Sequence, residues 1–166
     1  MGPMRSAGRD GGWDEVARNL EPHRNYWLVT VDASGAPHAT PVWGVVHDSA
    51  FYSFSTRESH KAQHLARDPR AVVHLEDGDD VVIVHGVMKD LGDPAGSPDV
   101  VEAFTRKYDE PGDSAYLPTA TPAAAPGAYY RPDVLYRLVP ERALMWSMDD
   151  FDGSQARWAR PAQPAG

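Results

Sequence analysis

Residues 25–56, NYWLVTVDASGAPHATPVWGVVHDSAFYSFST, decide the fold. Aromatic and β-branched residues, which favour strands, fill the three runs 25–32, 37–46 and 50–56. Short turn sequences separate these runs, ASGA at 33–36 and HDS at 47–49. The stretch therefore predicts a meander of three antiparallel strands.

The rest of the chain alternates between helical and strand-like hydrophobic spacing. Ser59 and Ser97 occupy N-cap positions, Pro98 follows at a first helical position, and Pro69 ends the earlier helix. We therefore predict helices at 13–20, 59–68 and 98–108, and further strands at 71–76, 81–88, 135–139 and 143–147.

Five or more antiparallel strands with inserted helices predict a mostly β, α+β barrel rather than a βαβ layer protein. The sequence contains no G-x-G-x-x-G or P-loop motif, so a Rossmann-type nucleotide site is excluded. We divide the chain into an N-terminal segment with a short helix (1–24), a barrel domain (25–147) and a C-terminal tail (148–166), which we expect to fray after Arg157. A Pro-, Ala- and Gly-rich stretch at 109–127 predicts an irregular loop or a partly mobile lid that helps to shape a pocket.

Composition limits the function. A chain of 166 residues corresponds to about one domain. The net charge of −8 argues against nucleic acid or an anionic membrane as partner, and the lack of cysteine excludes disulfides and thiolate metal sites. The chain has no apolar run of about 18 residues, and residues 1–12 lack a signal-peptide core. We expect a cytoplasmic enzyme or binding protein.

Residues 56–61 carry the groups of a phosphate site. A helix that begins near Ser59 presents unpaired N–H groups and about half a positive charge at its N-terminus. The hydroxyls of Thr56 and Ser59 and the cations of Arg57 and Lys61 complete the donor set. Taken alone, the same residues also fit a capped surface helix with solvated charges.

Two histidines on the same helix are spaced for metal binding. His60 and His64 are four residues apart, but no glutamate places them in an H-E-x-x-H motif. A solvated helix face is the favoured interpretation, and we predict no metal site.

Several motifs between Trp27 and Gly86 occur in a recognisable order. They are Ala36-Pro37-His38, Pro41-Val42-Trp43, Phe54-Ser55-Thr56, Ser59-x-Lys61-x-x-x-Leu65-x-x-Asp68-Pro69-Arg70, and Asp79-Asp80-Val81-Val82. In this order and spacing the chain resembles the pyridoxamine 5′-phosphate oxidase-like superfamily, in particular its flavin- and deazaflavin-dependent oxidoreductases. Asp150-Phe151 and Arg157-Trp158 are similar to the C-terminal segment of that family.

The resemblance implies a split β-barrel of the FMN-binding type, with the cofactor ring lying along the second strand. The implied ring-site residues are Thr40, Pro41, Val42, Trp43 and Gly44, and Thr56, Arg57, Ser59 and Lys61 hold the phosphate. Gly44 would allow close approach of the ring to the backbone. Trp43 would either stack on the ring or pack in the barrel core.

Three more aromatic residues, Tyr129, Tyr130 and Trp146, would line the substrate side of the site or pack between subunits. No catalytic residue is assigned.

The resemblance also implies a cofactor and an activity. The cofactor is coenzyme F420 (8-hydroxy-5-deazaflavin) or FMN, and the sequence context favours F420. The implied enzyme is a homodimeric oxidoreductase that transfers hydride to or from a small organic substrate, with each cofactor cleft completed by the partner subunit. The alternative is a non-catalytic or haem-related split-barrel binding module.

Overall fold

A computed structural model describes residues 5–6, 12–119 and 131–163. The strands are β1 (Arg5–Ser6), β2 (Asn25–Val31), β3 (Pro37–His47), β4 (Ala50–Ser55), β5 (Arg70–Leu75), β6 (Asp80–Asp90), β7 (Val134–Ser147) and β8 (Ala156–Ala159). The α-helices are α1 (Gly12–Leu20), α2 (His60–Arg67), α3 (Pro98–Lys107) and α4 (Phe151–Ser154). None of the helices in these ranges is long and apolar enough to cross a membrane.

The strands form one sheet in the order β1-β8-β7-β4-β3-β2-β5-β6. An additional antiparallel pairing between β6 and β7 closes six of these strands into a barrel. β8 lies outside the barrel, antiparallel to the end of β7, and β1 pairs with β8 in parallel. The antiparallel barrel with short inserted helices confirms the predicted fold class.

The predicted meander forms with the expected turns. Gly35 has a positive φ of 86° in the turn between β2 and β3. Asp48 and Ser49 both have positive φ, 46° and 55°, in the turn between β3 and β4. Two consecutive residues with positive φ are the mark of the two-residue hairpin turn whose twist matches that of the flanking strands.

The barrel interior is one hydrophobic core that two helices cap. Tyr26 and Phe51 are fully buried at its centre and meet edge to face, with ring centroids 4.8 Å apart. Val16 and Leu20 of α1 join this core from one side, and Leu65 of α2 joins it as well. Burying a side chain of this size contributes about 1.5 to 3 kcal/mol. The short helices are therefore held by their packing on the barrel rather than by their own length.

A second core lies between α3 and the outside of the barrel. Phe104 and Tyr108 at the end of α3 pack on a surface formed by Val45, Phe54 and Leu135. Ser97 stands at the N-cap of α3, but its side chain makes no capping hydrogen bond there. The helix is therefore positioned mainly by this apolar contact.

The structure corrects the two strands predicted at 135–139 and 143–147, because β7 is a single strand. Pro140 lies in the gap between the two predicted strands. Gly86 pairs with Pro140 while the neighbouring His85 pairs with Arg142. Glu141 is the extra residue of this bulge, which lets the proline sit within a continuous strand.

The structure also differs from the predicted tail, and it describes part of the predicted loop. The frayed tail expected after Arg157 contains the end of β8 instead, and the Arg160 N–H donates to Glu141 O at 2.8 Å. Residues 109–119 of the predicted irregular loop include a 3₁₀ turn, Asp113–Ala115, and the buried Leu117. Residues 120–127 of that loop lie outside the described residues.

Candidate functional site

One cleft brings together the second strand of the meander and the first turn of α2. Its volume is about 380 Å³, within the range of small-molecule sites. The lining is apolar apart from one cation, one amide and one phenol. The lining residues are Asn25, Pro41, Val42, Trp43, Phe54, Lys61 and Tyr116.

Lys61 is the cation of this cleft. Its side chain is half-buried, and burial lowers the pKa of its ammonium group. Within the described ranges 5–6, 12–119 and 131–163, Lys61 makes no side-chain hydrogen bond or ion pair. A half-buried ammonium group that lacks a protein partner is well suited to bind an anion, because the anion would offset the cost of its desolvation.

The start of α2 supplies backbone donors beside Lys61. Ser59 caps the helix, since its Oγ accepts a hydrogen bond from Ala62 N at 3.3 Å. Its hydroxyl also lies 2.8 Å from the Oγ of the buried Ser55. The hydroxyl of Ser59 is thus engaged in holding the junction between β4 and α2 and in capping Ala62 N, while the N–H groups of His60 and Lys61 have no partner within the helix.

Arg57, predicted to bind phosphate, has a different partner in the structure. Its guanidinium group forms a two-bond ion pair with Asp90 of β6, at 2.8 and 3.2 Å. Its backbone N–H donates to Asp133 Oδ1 at 2.7 Å. The side chain of Arg57 therefore fastens the β4–α2 junction to β6 and does not line the cleft.

Trp43 packs against the second core and also lines the cleft. One face of its ring stacks on Tyr108, with centroids 4.4 Å apart and planes 12° from parallel. The guanidinium carbon of Arg24 lies 5.1 Å from the centroid of the same ring. Trp43 nevertheless remains half-buried and lines the cleft. The contact with Tyr108 fixes the plane of the Trp43 ring, which therefore forms a rigid side of the cleft.

Gly44 is needed by the protein's own packing. A Cβ atom at this position would lie 2.3 Å from Cζ of Phe51, so the space beside its Cα belongs to the core. Its N–H donates to the Tyr108 hydroxyl at 2.8 Å, and its carbonyl accepts from Lys107 Nζ at 2.8 Å. The backbone polar groups of Gly44 are thus already bonded to the end of α3. Burial lowers the pKa of Lys107 to about 8.

An ion pair attaches the segment after α3 to the mouth of the cleft. Arg24 binds both carboxylate oxygens of Asp113, at 2.9 and 3.0 Å. The Asp113 side chain is only 10% exposed, and it also accepts from the Glu110 N–H at 3.1 Å. This clasp, Arg24 with Asp113, holds the turn that leads to Tyr116 at the rim of the cleft.

We expect Arg24→Met to lower the free energy of unfolding clearly more than the control variant does, because it leaves the buried Asp113 carboxylate without its cation. Arg24 is itself 36% exposed, which places the loss at the lower end for a broken buried pair. The control is Arg106→Met, which removes an exposed pair with Glu102 on α3 and should change stability by less than about 0.5 kcal/mol. Urea unfolding of both variants measures the difference, and equal losses would contradict a special role for the clasp.

Four predicted cofactor residues meet in the cleft: Pro41, Val42, Trp43 and Lys61. Five others do not line it: Thr40, Gly44, Thr56, Arg57 and Ser59. Trp146 lines a separate cleft between α1 and the paired ends of β6 and β7. Tyr129 and Tyr130 lie outside the described residues.

Three lining residues were missing from the predicted site. Asn25 pairs with Trp43 across the β2–β3 hairpin, so the hairpin register could have indicated it. Phe54 was part of a quoted motif but was not assigned a role. Tyr116 lies in the Pro- and Ala-rich stretch, whose composition gives no signal for a pocket residue.

The chain forms a closed antiparallel barrel with inserted helices, and a cleft lies between its second hairpin strand and a capped helix. These features define a split-barrel protein of α+β class. The sequence model of the family described as "Pyridoxamine 5'-phosphate oxidase" matches residues 13–146. The chain therefore belongs to the pyridoxamine 5′-phosphate oxidase family. A search of curated proteins gives no match.

Solved structures share the fold at low sequence identity. A conserved hypothetical protein from Mycobacterium tuberculosis is 24% identical, with a TM-score of 0.63, and the match covers 100% of this chain and 97% of that one. A structure described as an F420 reductase is 19% identical (TM-score 0.55; 76% and 93% covered). A putative pyridoxamine 5′-phosphate oxidase from Listeria innocua is 18% identical (TM-score 0.56; 80% and 96% covered). These likenesses establish the architecture.

Proposed function

We propose that this chain is an oxidoreductase that binds coenzyme F420 or FMN in the cleft between β3 and α2 and acts on a small organic substrate by hydride transfer. The observation that carries the proposal is the position of Lys61. This half-buried cation lies in the same cleft as the flat apolar wall formed by Pro41 and Trp43. A cofactor with an anionic tail and a flat heteroaromatic ring fits these two features, because the cation would bind the tail and the flat apolar surface would contact the ring.

The residues of the cleft fit such a group. Lys61 and the first-turn N–H groups of α2 would hold the phosphate. Trp43, Pro41 and Phe54 provide apolar contacts for a ring, and Asn25 places an amide at the β2 side of the cleft. When bound, the flavin or deazaflavin supplies the hydride chemistry, and the protein supplies binding, orientation and exclusion of water. The family match and the F420 reductase among its structural neighbours support the same cofactor class.

A titration of the purified protein with FMN, F420 and haem, followed by absorbance and by calorimetry, tests the proposal. Saturable binding of F420 by a colourless preparation supports the deazaflavin assignment, and a yellow preparation with flavin absorbance supports FMN. Haem binding with a Soret band and no affinity for either flavin would replace the proposal with the binding-module alternative. No affinity for any of the three would refute it.

We also propose that the protein is a homodimer, because one outer face of the barrel is apolar. Two rows of paired residues cross β3, β2, β5 and β6 on this face, and their members are half-buried or exposed. The rows are Pro41-Trp27-His74-Ile83 and Ala39-Val29-Val72-His85. Pro41 also lines the cleft, so a second copy seated on this face would reach the cofactor site.

We expect Val72→Lys to convert a dimer into a monomer, because the ammonium group would be buried in the middle of this apolar contact. The control is Thr105→Lys, which places the same charge on the exposed side of α3. Sedimentation or light scattering reports the mass, and cofactor titration of the monomer reports whether the second copy completes the cleft. A wild-type monomer, or a Val72→Lys dimer, would refute this interface.

A further inference from the structure

Three histidines from two elements converge beside the start of the cleft helix. His60 and His64 lie on one face of α2, and His38 of β3 faces them. The ring centroids of His38 and His64 are 5.3 Å apart, and those of His60 and His64 are 6.4 Å apart. The sequence had favoured a solvated face for the two helical histidines. In the structure His60 is exposed and His64 is half-buried, and Gln63 and Arg67 of the same helix are also exposed.

The imidazole of His64 is oriented by a buried hydroxyl. Its Nδ1 lies 2.9 Å from Oγ1 of Thr30, a side chain with no solvent exposure. This contact leaves Nε2 as the free ring nitrogen. Metal-binding histidines in proteins are commonly oriented in the same way: one ring nitrogen is hydrogen-bonded to a protein oxygen, and the other binds the ion.

We propose that His38, His60 and His64 form a binding site for a divalent transition metal ion such as Zn²⁺. Imidazole nitrogens suit Zn²⁺, Ni²⁺ and Cu²⁺, and three such ligands leave one tetrahedral position open. The site is separate from the proposed oxidoreductase function and does not depend on it.

The ring separation of one pair agrees with a shared ion, but the ligand nitrogens of all three histidines do not yet lie within 4.8 Å of one another in this structure. With Zn–N bonds of about 2.0 Å and tetrahedral angles, two imidazoles on one ion have centroids about 5 Å apart. The His38–His64 pair already has this separation, at 5.3 Å. His60 has to move closer by about 1 Å, which a rotamer change of an exposed side chain allows.

The groups around the cluster keep the imidazoles available as ligands. Burial and the neighbouring His38, Arg67 and His60 lower the pKa of His64, so its neutral, metal-binding form persists at neutral pH. Arg67 donates to Val31 O at 3.1 Å, and the Asp32 carboxylate accepts hydrogen bonds from Ser34 and Ala36. Lys61 precedes His64 by one helical turn, and its charge weakens cation binding.

A second cluster provides the rival site. His47, Asp48 and Asp99 have ligand atoms within 4.8 Å of one another. His47 Nε2 is already paired with Asp99 at 3.1 Å, and the two carboxylates are 88% and 63% exposed. A site with one nitrogen and exposed carboxylates is less suited to Zn²⁺ than three imidazoles, of which one is held in place by Thr30.

The test is a titration of the tag-free, chelator-treated protein with Zn²⁺ by calorimetry, and with Co²⁺ by absorbance. We expect about one ion per chain and a loss of affinity of more than about tenfold in each of His38→Gln, His60→Gln and His64→Gln. Thr30→Val, which keeps the buried volume, should weaken binding by about tenfold through loss of the His64 contact. His47→Gln and His74→Gln should have no effect.

Because His38 and His60 are exposed, we expect their variants to fold normally. Unfolding curves of the variants check this. Unchanged affinity in any of the three histidine variants overturns the three-ligand site. Loss of binding in His47→Gln moves the ion to the rival cluster and also overturns it. Absence of saturable Zn²⁺ binding by the wild-type protein also overturns the proposal. None of these readouts uses a flavin, so their failure leaves the oxidoreductase proposal unaffected.

Discussion

Replacing Lys61 with alanine is expected to weaken binding of a phosphate-bearing cofactor by about ten- to a hundredfold. A charge-assisted hydrogen bond shielded from solvent is worth about 1.5 to 3 kcal/mol, and each 1.4 kcal/mol is a factor of ten in affinity. Lys61 fits this estimate because it is half-buried in the cleft. Calorimetric titration with FMN and with F420 measures the change.

Two further variants make the Lys61 experiment specific. Lys89→Ala removes the same charge from an exposed position on β6 and should leave the affinity unchanged. Lys61→Arg keeps the charge and should retain most of the binding. If Lys61→Ala binds the cofactor as tightly as the wild type, Lys61 is not a phosphate ligand and the proposed orientation of the cofactor is wrong.

Gly86→Ala is expected to lower the free energy of unfolding by about 3 kcal/mol or more. A Cβ atom at Gly86 would lie 2.3 Å from Val139 O and 3.0 Å from Cα of Pro140. Both atoms belong to the backbone of β7, so no side-chain rotation relieves the clash and the bulge itself has to shift. Thermal unfolding should show a midpoint lower by about 6 to 12 °C for a chain of this length.

The matched control for this substitution is Gly78→Ala in the turn before β6. A Cβ atom there meets nothing within 4 Å, and the φ of Gly78 is not positive. We expect its stability to stay within about 0.5 kcal/mol of the wild type. Equal stability of the Gly86 and Gly78 variants would show that the β6–β7 bulge is not a tight constraint.

The meander and α2 could be predicted from the sequence because their signals are local. Alternation of apolar residues, the turn glycine Gly35, and the cap Ser59 each act within a few residues. The continuity of β7 could not be predicted in this way. Pro140 is a strand breaker by its own chemistry. The bulge at Glu141 that accommodates it forms only in the pairing with β6, where Gly86 lies opposite Pro140. β8 was missed for a similar reason, since its stability comes from pairing with β7.

The candidate site was predictable to the extent that its residues belong to one strand and one helix turn. Pro41, Trp43 and Lys61 were identified and do meet in the cleft. The role of Arg57 was not predictable, because the sequence cannot show that Asp90, on a distant strand, lies within 2.8 Å of it. Tyr116 depends in the same way on the long-range contact between Arg24 and Asp113.

The pairing of Arg57 with Asp90 also sets how much positive charge the cleft offers to a phosphate group. Across the part of the chain that the structure describes, Lys61 and the α2 N-terminus together offer about one and a half positive charges to an anion in this cleft. A phosphate monoester carries up to two negative charges near neutral pH, whereas a phosphodiester carries one. A monoester with two negative charges would thus leave about half a negative charge, and a diester would leave about half a positive charge, so the cleft matches the two kinds of phosphate group about equally well.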